Sequence, residues 1–186
     1  MKIKRLPVVF HNILKMSDIC KENQWQTMAL AMRNLVIQNG LYTNAPAFYQ
    51  IAEIEGDADH KEYTVYVPIN KPVEIDDELP MEFIPELKFD DALMFRVADP
   101  DTLMEEAYFM LDACASEQGY GLVRPFYHVS YDVFGETMTD VIAPIIQLTP
   151  QDQADQANQA DQTDQAAQEN QTSSPVAATP QTSTPE

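Results

Sequence analysis

Few residues in this chain are equipped for chemistry, and they are scattered. The histidines are His11, His60 and His128, and the cysteines are Cys20 and Cys114. Two such thiols offer neither a disulfide framework nor zinc spacing. Cys114 falls on the apolar face of an expected helix, where a buried thiol is inert. There is no glycine-rich phosphate loop, no Gly-x-Ser-x-Gly elbow and no His-Glu-x-x-His pair. The densest polar cluster, EGDADH, gathers Glu55, Asp57, Asp59 and His60. It lacks the calcium-loop pattern of acids followed by glycine and a distal glutamate, so it reads as a solvated hairpin tip. His11 and His128 lie on expected strands and read as structural. No catalytic residue, metal site or cofactor is expected.

Aromatic side chains are the better candidates, because rings with polar edges stack on flat or cationic molecules. Trp25, Tyr49, Tyr66, Phe95, Tyr108, Tyr127 and Tyr131 all fall on expected helices or strands. Side chains alternate along a strand, so Tyr127, Val129 and Tyr131 share one face, and Phe126, His128 and Ser130 share the other. Tyr49, Ile51 and Glu53 likewise share a face. Tyr49 and Tyr127 are either a symmetric pair of groove rings or core residues, and both readings stay open. Trp25 and Tyr108, being helical, read as core. The candidate ligand-binding set is Tyr49, Glu53, Tyr66, Phe95, Tyr127 and Tyr131.

Two helices must position these residues. The first is expected from Asp18 or Asn23 to Asn39, on the apolar stripe Trp25, Met28, Met32, Leu35 and Val36, with Gly40 as its stop. The second is expected from Asp101 to Gln118, with Asp99 as one cap and Thr102 with Glu105 as a capping box. Its stripe is Leu103, Ala107, Met110, Leu111 and Cys114, and Gly119 ends it. Gly40 and Gly119 stand 79 residues apart, as do Pro46 and Pro125. Dropping one residue aligns Phe48-Tyr49 with Phe126-Tyr127. Each copy continues as a hairpin, closing at Pro68-Ile69 and Pro144-Ile145. Strands are also expected upstream of each helix, at Val8–Leu14 and Asp91–Val97, with a short lead-in at Met81–Leu87.

The pattern predicts an α+β fold built from tandem strand-helix-strand-strand repeats, residues 3–70 and 79–148. The two would share one antiparallel-rich sheet with both helices on one face. The opposite face would form a saddle between the halves, where ligands sit in such folds. From Gln151 the chain changes character, with glutamine at every third position from Gln153 to Gln171. Having no aromatic residue and Val176 as its one branched aliphatic, this segment cannot offset its ordering entropy. Residues 1–150 are therefore the expected domain, and residues 151–186 a disordered Gln/Asp/Pro-rich tail.

The formal charge is −19 over 186 residues, and residues 1–150 alone carry −13. Such a field repels phosphate backbones and favours cationic ligands or basic protein partners. No stretch reaches the roughly 18 apolar residues of a spanning helix, and MKIKRLPVVFHNIL is a poor signal peptide. A cytoplasmic protein without nucleic-acid or membrane partners is expected.

Residues 3–146 resemble the gyrase-inhibitor-like (GyrI-like), effector-binding superfamily. The likeness is carried by Ala107-Tyr108, Gly119-Tyr120, the strand led by Pro125 and the closing Pro144-Ile145. In the first half it rests on Gly40, Pro46 and VYVPI. The chain is also similar to an uncharacterised group from Gram-positive bacteria found near type VII secretion toxins. The resemblance implies a groove for small hydrophobic or cationic molecules, although some relatives hydrolyse electrophilic compounds. Many ligand-binding relatives carry a glutamate early in the strand after the proline. Here that strand runs from Phe126 to Tyr131 with no acid until Asp132, which counts against recognition by that glutamate and against hydrolysis. No DNA-binding helical domain is attached, so a one-protein transcription regulator is not expected.

The expected function is a non-catalytic module binding a small hydrophobic or cationic ligand between the repeats. The alternative is a protein-interaction adaptor, or a chaperone-like accessory of a secretion or toxin system, using a basic partner. A small hydrolase ranks third. Deleting residues 151–186 is expected to leave the melting temperature nearly unchanged in a calorimetric scan. A loss of several degrees would show that the tail packs.

Overall fold

The computed structural model describes residues 3–21, 24–76, 78–98 and 103–147. Asn23, the expected caps Asp99 and Thr102, and the tail 151–186 lie outside these residues. The elements run β1 (Lys4–Cys20), α1 (Trp25–Gln38), β2 (Phe48–Ile54), β3 (Asp57–Pro68), β4 (Glu82–Val97), α2 (Met104–Glu117), β5 (Tyr120–Leu122), β6 (Tyr127–Val133) and β7 (Glu136–Gln147). Among the described residues no helix is long and apolar enough to cross a membrane.

Helix α1 forms because Met28, Met32 and Val36 recur at four-residue spacing and bury one face. It ends where Leu41 N–H donates to the Val36 carbonyl and Gly40 N–H to that of Ile37, both at 3.0 Å. Gly40 takes φ +68°, which a residue without Cβ adopts at little cost. Helix α2 buries Ala107, Leu111 and Ala115 in the same way. Both helices start later than expected. Asp18–Cys20 belong to β1, because they pair with Lys61–Tyr63 of β3. Glu105 lies in the first turn of α2, and Leu103 precedes that helix in an extended conformation without a side-chain cap.

Every strand pairing is antiparallel, in the order β4-β1-β3-β2-β6-β7-β5, and β4 also pairs with β7. That extra ladder closes six strands into a barrel and removes the open edges a flat sheet would present. The expected lead-in strand and Asp91–Val97 are one strand, β4, long enough to pair with β1 through one half and β7 through the other. The short strand β5 is an addition to the expected elements.

Alternation divides the side chains between two surfaces. Leu14, Tyr49, Tyr63, Val65 and Val67 point outward and pack on Met28, Met32 and Val36 of α1. Leu93, Phe95, Val141 and Ala143 point outward and pack on Ala107, Leu111 and Ala115 of α2. Inside the barrel, Ile13, Phe48, Tyr66, Ala92, Val129 and Ile142 form a third cluster that contains no helical residue. Phe48 stacks between Phe10 at 4.2 Å and Tyr66 at 4.8 Å, and Phe89 lies 4.9 Å from Tyr127. The face expected to form an open saddle is therefore closed on itself and filled with rings. Correspondingly, Phe48→Ala should cost about 3–5 kcal/mol in urea denaturation, the usual penalty for deleting a buried ring.

Candidate functional site

A groove of about 860 Å³ opens on the outer, helix-bearing surface. Strand β2 contributes Tyr49, Ile51 and Glu53, which share a face by alternation. Strand β3 contributes Tyr63 and Lys61, which the hairpin register sets opposite Ile51 and Glu53. Trp25 enters from the first residue of α1, Glu105 and Tyr108 from the start of α2, and Arg124 and Phe126 from the segment before β6. A second groove, of about 840 Å³, follows the outer side of α1 past Ala29, Arg33 and Ala45. It is poorer in aromatic side chains, which makes the first groove the stronger candidate.

The rings of the first groove form a connected set. Trp25 lies 4.0 Å from Tyr49 between centroids. Tyr49 stacks at 4.9 Å on His128, which sits behind it on β6. Tyr108 meets Phe126 edge-on at 5.4 Å. The Tyr108 hydroxyl is 2.6 Å from His128 Nε2, and His128 Nδ1 is 3.3 Å from the Tyr49 carbonyl oxygen. His128 is only 1% exposed. Burial disfavours its charged form and pushes its pKa down to about 4, against a weaker upward effect of the Tyr49 carbonyl. Burial also raises the Tyr108 hydroxyl above the ordinary phenol range.

Charges at the rim are largely matched. Lys61 Nζ lies 2.9 Å from Glu53 Oε1. Arg124 pairs with Asp112 and lays its guanidinium 4.4 Å above the Phe126 ring. Glu105 makes no ion pair among the described residues. Both helix N-termini reach this groove and bring partial positive charge, which Glu105 and Glu106 offset at α2.

Of the six residues selected by sequence, the structure brings only Tyr49 and Glu53 into this groove. Tyr66 and Tyr127 are inside the barrel, where the Tyr66 hydroxyl donates to Gln50 Oε1 at 2.6 Å. Phe95 is buried beneath α2. Tyr131 packs at the barrel interior, with the Arg96 guanidinium 5.8 Å from its ring. Arg96 in turn grips the buried Asp140 through two hydrogen bonds of 2.6 Å. Tyr49 and Tyr127 do not form a pair, because the β2–β6 register sets Tyr49 opposite His128 and Tyr127 opposite Gln50. They face opposite sides of the sheet. Trp25 and Tyr108 pack partly against the helix cores, as expected, yet both also line the groove. Lys61, Tyr63, Glu105, Arg124 and Phe126 were not singled out as site residues. Counting back from the turn at Glu55-Gly56 would have found Tyr63 and Lys61.

At the hairpin tip, His60 Nδ1 approaches Asp57 Oδ2 at 3.0 Å, and Glu55 lies in the turn itself. Among the described residues no group of three potential ligands is placed to hold a metal ion.

The depressed pKa of His128 has a definite consequence for stability. Between pH 6.5 and about 4 the unfolded chain binds this proton and the folded chain does not. The contribution is complete above the unfolded value and is lost as pH falls through that window, by roughly 3 kcal/mol. Replacing His128 with Asn should flatten the fall of melting temperature with acid relative to wild type. Parallel curves would rule out a neutral buried imidazole.

The C-terminal domain of EcmrR is similar to this chain, with a TM-score of 0.60 at 14% identity over 80% of this chain and 100% of that domain. EcmrR in a DNA complex, seen by cryo-EM, gives a TM-score of 0.60 at 14% identity and 78% coverage, and this chain spans 58% of that chain's length. A hydrolase from Listeria innocua is more loosely similar, with a TM-score of 0.49 at 12% identity over 78% of this chain and 92% of that one. The EcmrR likeness shows the fold alone. No curated protein matches the chain in sequence. The profile of one family covers residues 9–147, and the chain belongs to that family, described as a domain of unknown function, DUF5085.

Proposed function

We propose that the protein is a non-catalytic binding module that takes a small, flat, hydrophobic cation in the groove between the two helix N-termini. The observation that carries this is the lining itself. Trp25, Tyr49, Tyr63, Tyr108 and Phe126 surround a space of about 860 Å³, with Glu53 and Glu105 at its rim. Aromatic faces attract cations, and the attraction grows as water is displaced. Lys61 and Arg124 are matched by Glu53 and Asp112, so the unmatched Glu105 and the acidic surface set the sign of the field. The resemblance of residues 3–146 to the GyrI-like, effector-binding superfamily supports a binding role, and the fold shared with the EcmrR domain is in keeping with it. We also read the two halves as repeats related by an offset of 79 from the helices into β2 and β6, which makes Tyr49 and His128 equivalent positions. Their pairing opposite each other across β2 and β6 supports that reading.

A second reading is docking of a protein partner, favoured by the apolar side chains along α2. Phe109 is 70% exposed and Met110 44%. Such a patch on a helix is the kind of surface partners cover.

Trp25 is the one tryptophan in the chain, so its fluorescence reports on the groove directly. Titration with 4-phenylbenzylammonium should change its emission saturably, whereas 4-phenylbenzoate should not. Glu53→Gln combined with Glu105→Gln should weaken the ammonium about three- to tenfold, with a smaller difference at high salt. Equal binding of the anion, or no response from Trp25, would exclude the cation reading.

A further inference from the structure

The hydrogen-bond chain behind the groove has a fixed direction, and that direction bears on which ligands the groove selects. The Tyr49 carbonyl oxygen can only accept, so His128 Nδ1, 3.3 Å away, must carry a proton and donate it. His128 is buried, and no carboxylate is hydrogen-bonded to it among the described residues. Its imidazole is neutral, as the depressed pKa also indicates. A neutral ring protonated at Nδ1 has a bare Nε2, which can only accept. The Tyr108 hydroxyl, 2.6 Å from Nε2, must therefore donate its single proton to His128. What Tyr108 has left for a ligand is oxygen lone pairs.

From this geometry we infer that His128 locks Tyr108 as a hydrogen-bond acceptor toward the groove, so that the groove selects cations bearing N–H donors over fully alkylated cations of the same shape and charge. The inference rests on the binding reading above and narrows it. Glu53 and Glu105 at the rim are acceptors as well. A primary or secondary ammonium, or an amidinium, would donate to Tyr108 while its aromatic body lies among Trp25, Tyr49 and Phe126. A quaternary ammonium gains the same ring contacts and leaves the Tyr108 lone pairs unused. Tyr108 is thus a specificity-determining residue and His128 a positioning residue, acting through the tyrosine without touching the ligand.

The test compares 4-phenylbenzylammonium with its N,N,N-trimethyl analogue on the full chain, by calorimetric titration and Trp25 emission. The ratio of their affinities should favour the primary ammonium in wild type by at least about tenfold more than in Tyr108→Phe, the usual worth of a hydrogen bond to a charged donor. A ratio that Tyr108→Phe leaves unchanged, with binding retained, overturns the inference and leaves the cation groove standing. Failure of both probes to bind wild type overturns both. Nitrogen-15 shifts of His128 in the unaltered protein, recorded near pH 7, give an answer that needs no variant. A neutral ring protonated at Nδ1 is required, and a proton found on Nε2 overturns the inference.

Discussion

Three residue pairs join the two halves of this molecule at β2 and β6, with Phe48 opposite Val129, Tyr49 opposite His128 and Gln50 opposite Tyr127. Side chains alternate along a strand, so the register of this short ladder decides which rings enter the barrel and which face the helices. Phe48, Val129 and Tyr127 go in, and Tyr49 and His128 go out. A slip of one residue would send Tyr49 and His128 into the barrel and dissolve the groove lining. The neighbouring ladders hold the register in place. Strand β2 pairs with β3 from Phe48 to Ile54, and β6 pairs with β7 from Tyr127 to Val133.

The same register explains where the sequence was legible and where it misled. Both helices and their glycine stops were legible because burial at three- and four-residue spacing and a positive φ at Gly40 and Gly119 leave local marks. The doubled Phe-Tyr phrase misled. Matching Phe48-Tyr49 to Phe126-Tyr127 by residue type required dropping a residue, and so turned Tyr127 to the wrong side. Keeping the offset of 79 set by Gly40 and Gly119 places Phe48 with Tyr127 and Tyr49 with His128. Position relative to the pleat outranks similarity of side chain, because the pleat decides what each ring can touch.

Closure of the barrel was hidden for a different reason. An open sheet and a closed one have the same alternating pattern, and the difference lies in long-range pairing between β4 and β7, which leaves no local trace. Strand β4 also carries Pro85, inside the expected lead-in strand Met81–Leu87. It falls opposite Asn12, between the pairs His11–Glu86 and Ile13–Ile84. A proline is tolerated within β4 at this point because Asn12, at φ +52°, turns its carbonyl away to accept from Ile69 N–H at 2.7 Å. The ladder loses one bond there and continues.

Closure also sets the electrostatics of the groove. With the barrel interior filled, the imidazole of His128 has the Tyr49 ring stacked on one side and Tyr108 and the Phe126 cluster nearby, sealed from water. Were it exposed, it would titrate near neutral pH and add positive charge directly behind Tyr108. At an effective dielectric of about 20, one such charge acting over about 7 Å amounts to about 2–3 kcal/mol. The rim is too nearly balanced to absorb that, since Lys61, Arg124 and two helix N-termini stand against Glu53, Glu105 and Asp112. Burial that keeps this one ring neutral therefore spares the groove a positive charge, and it does so through packing alone.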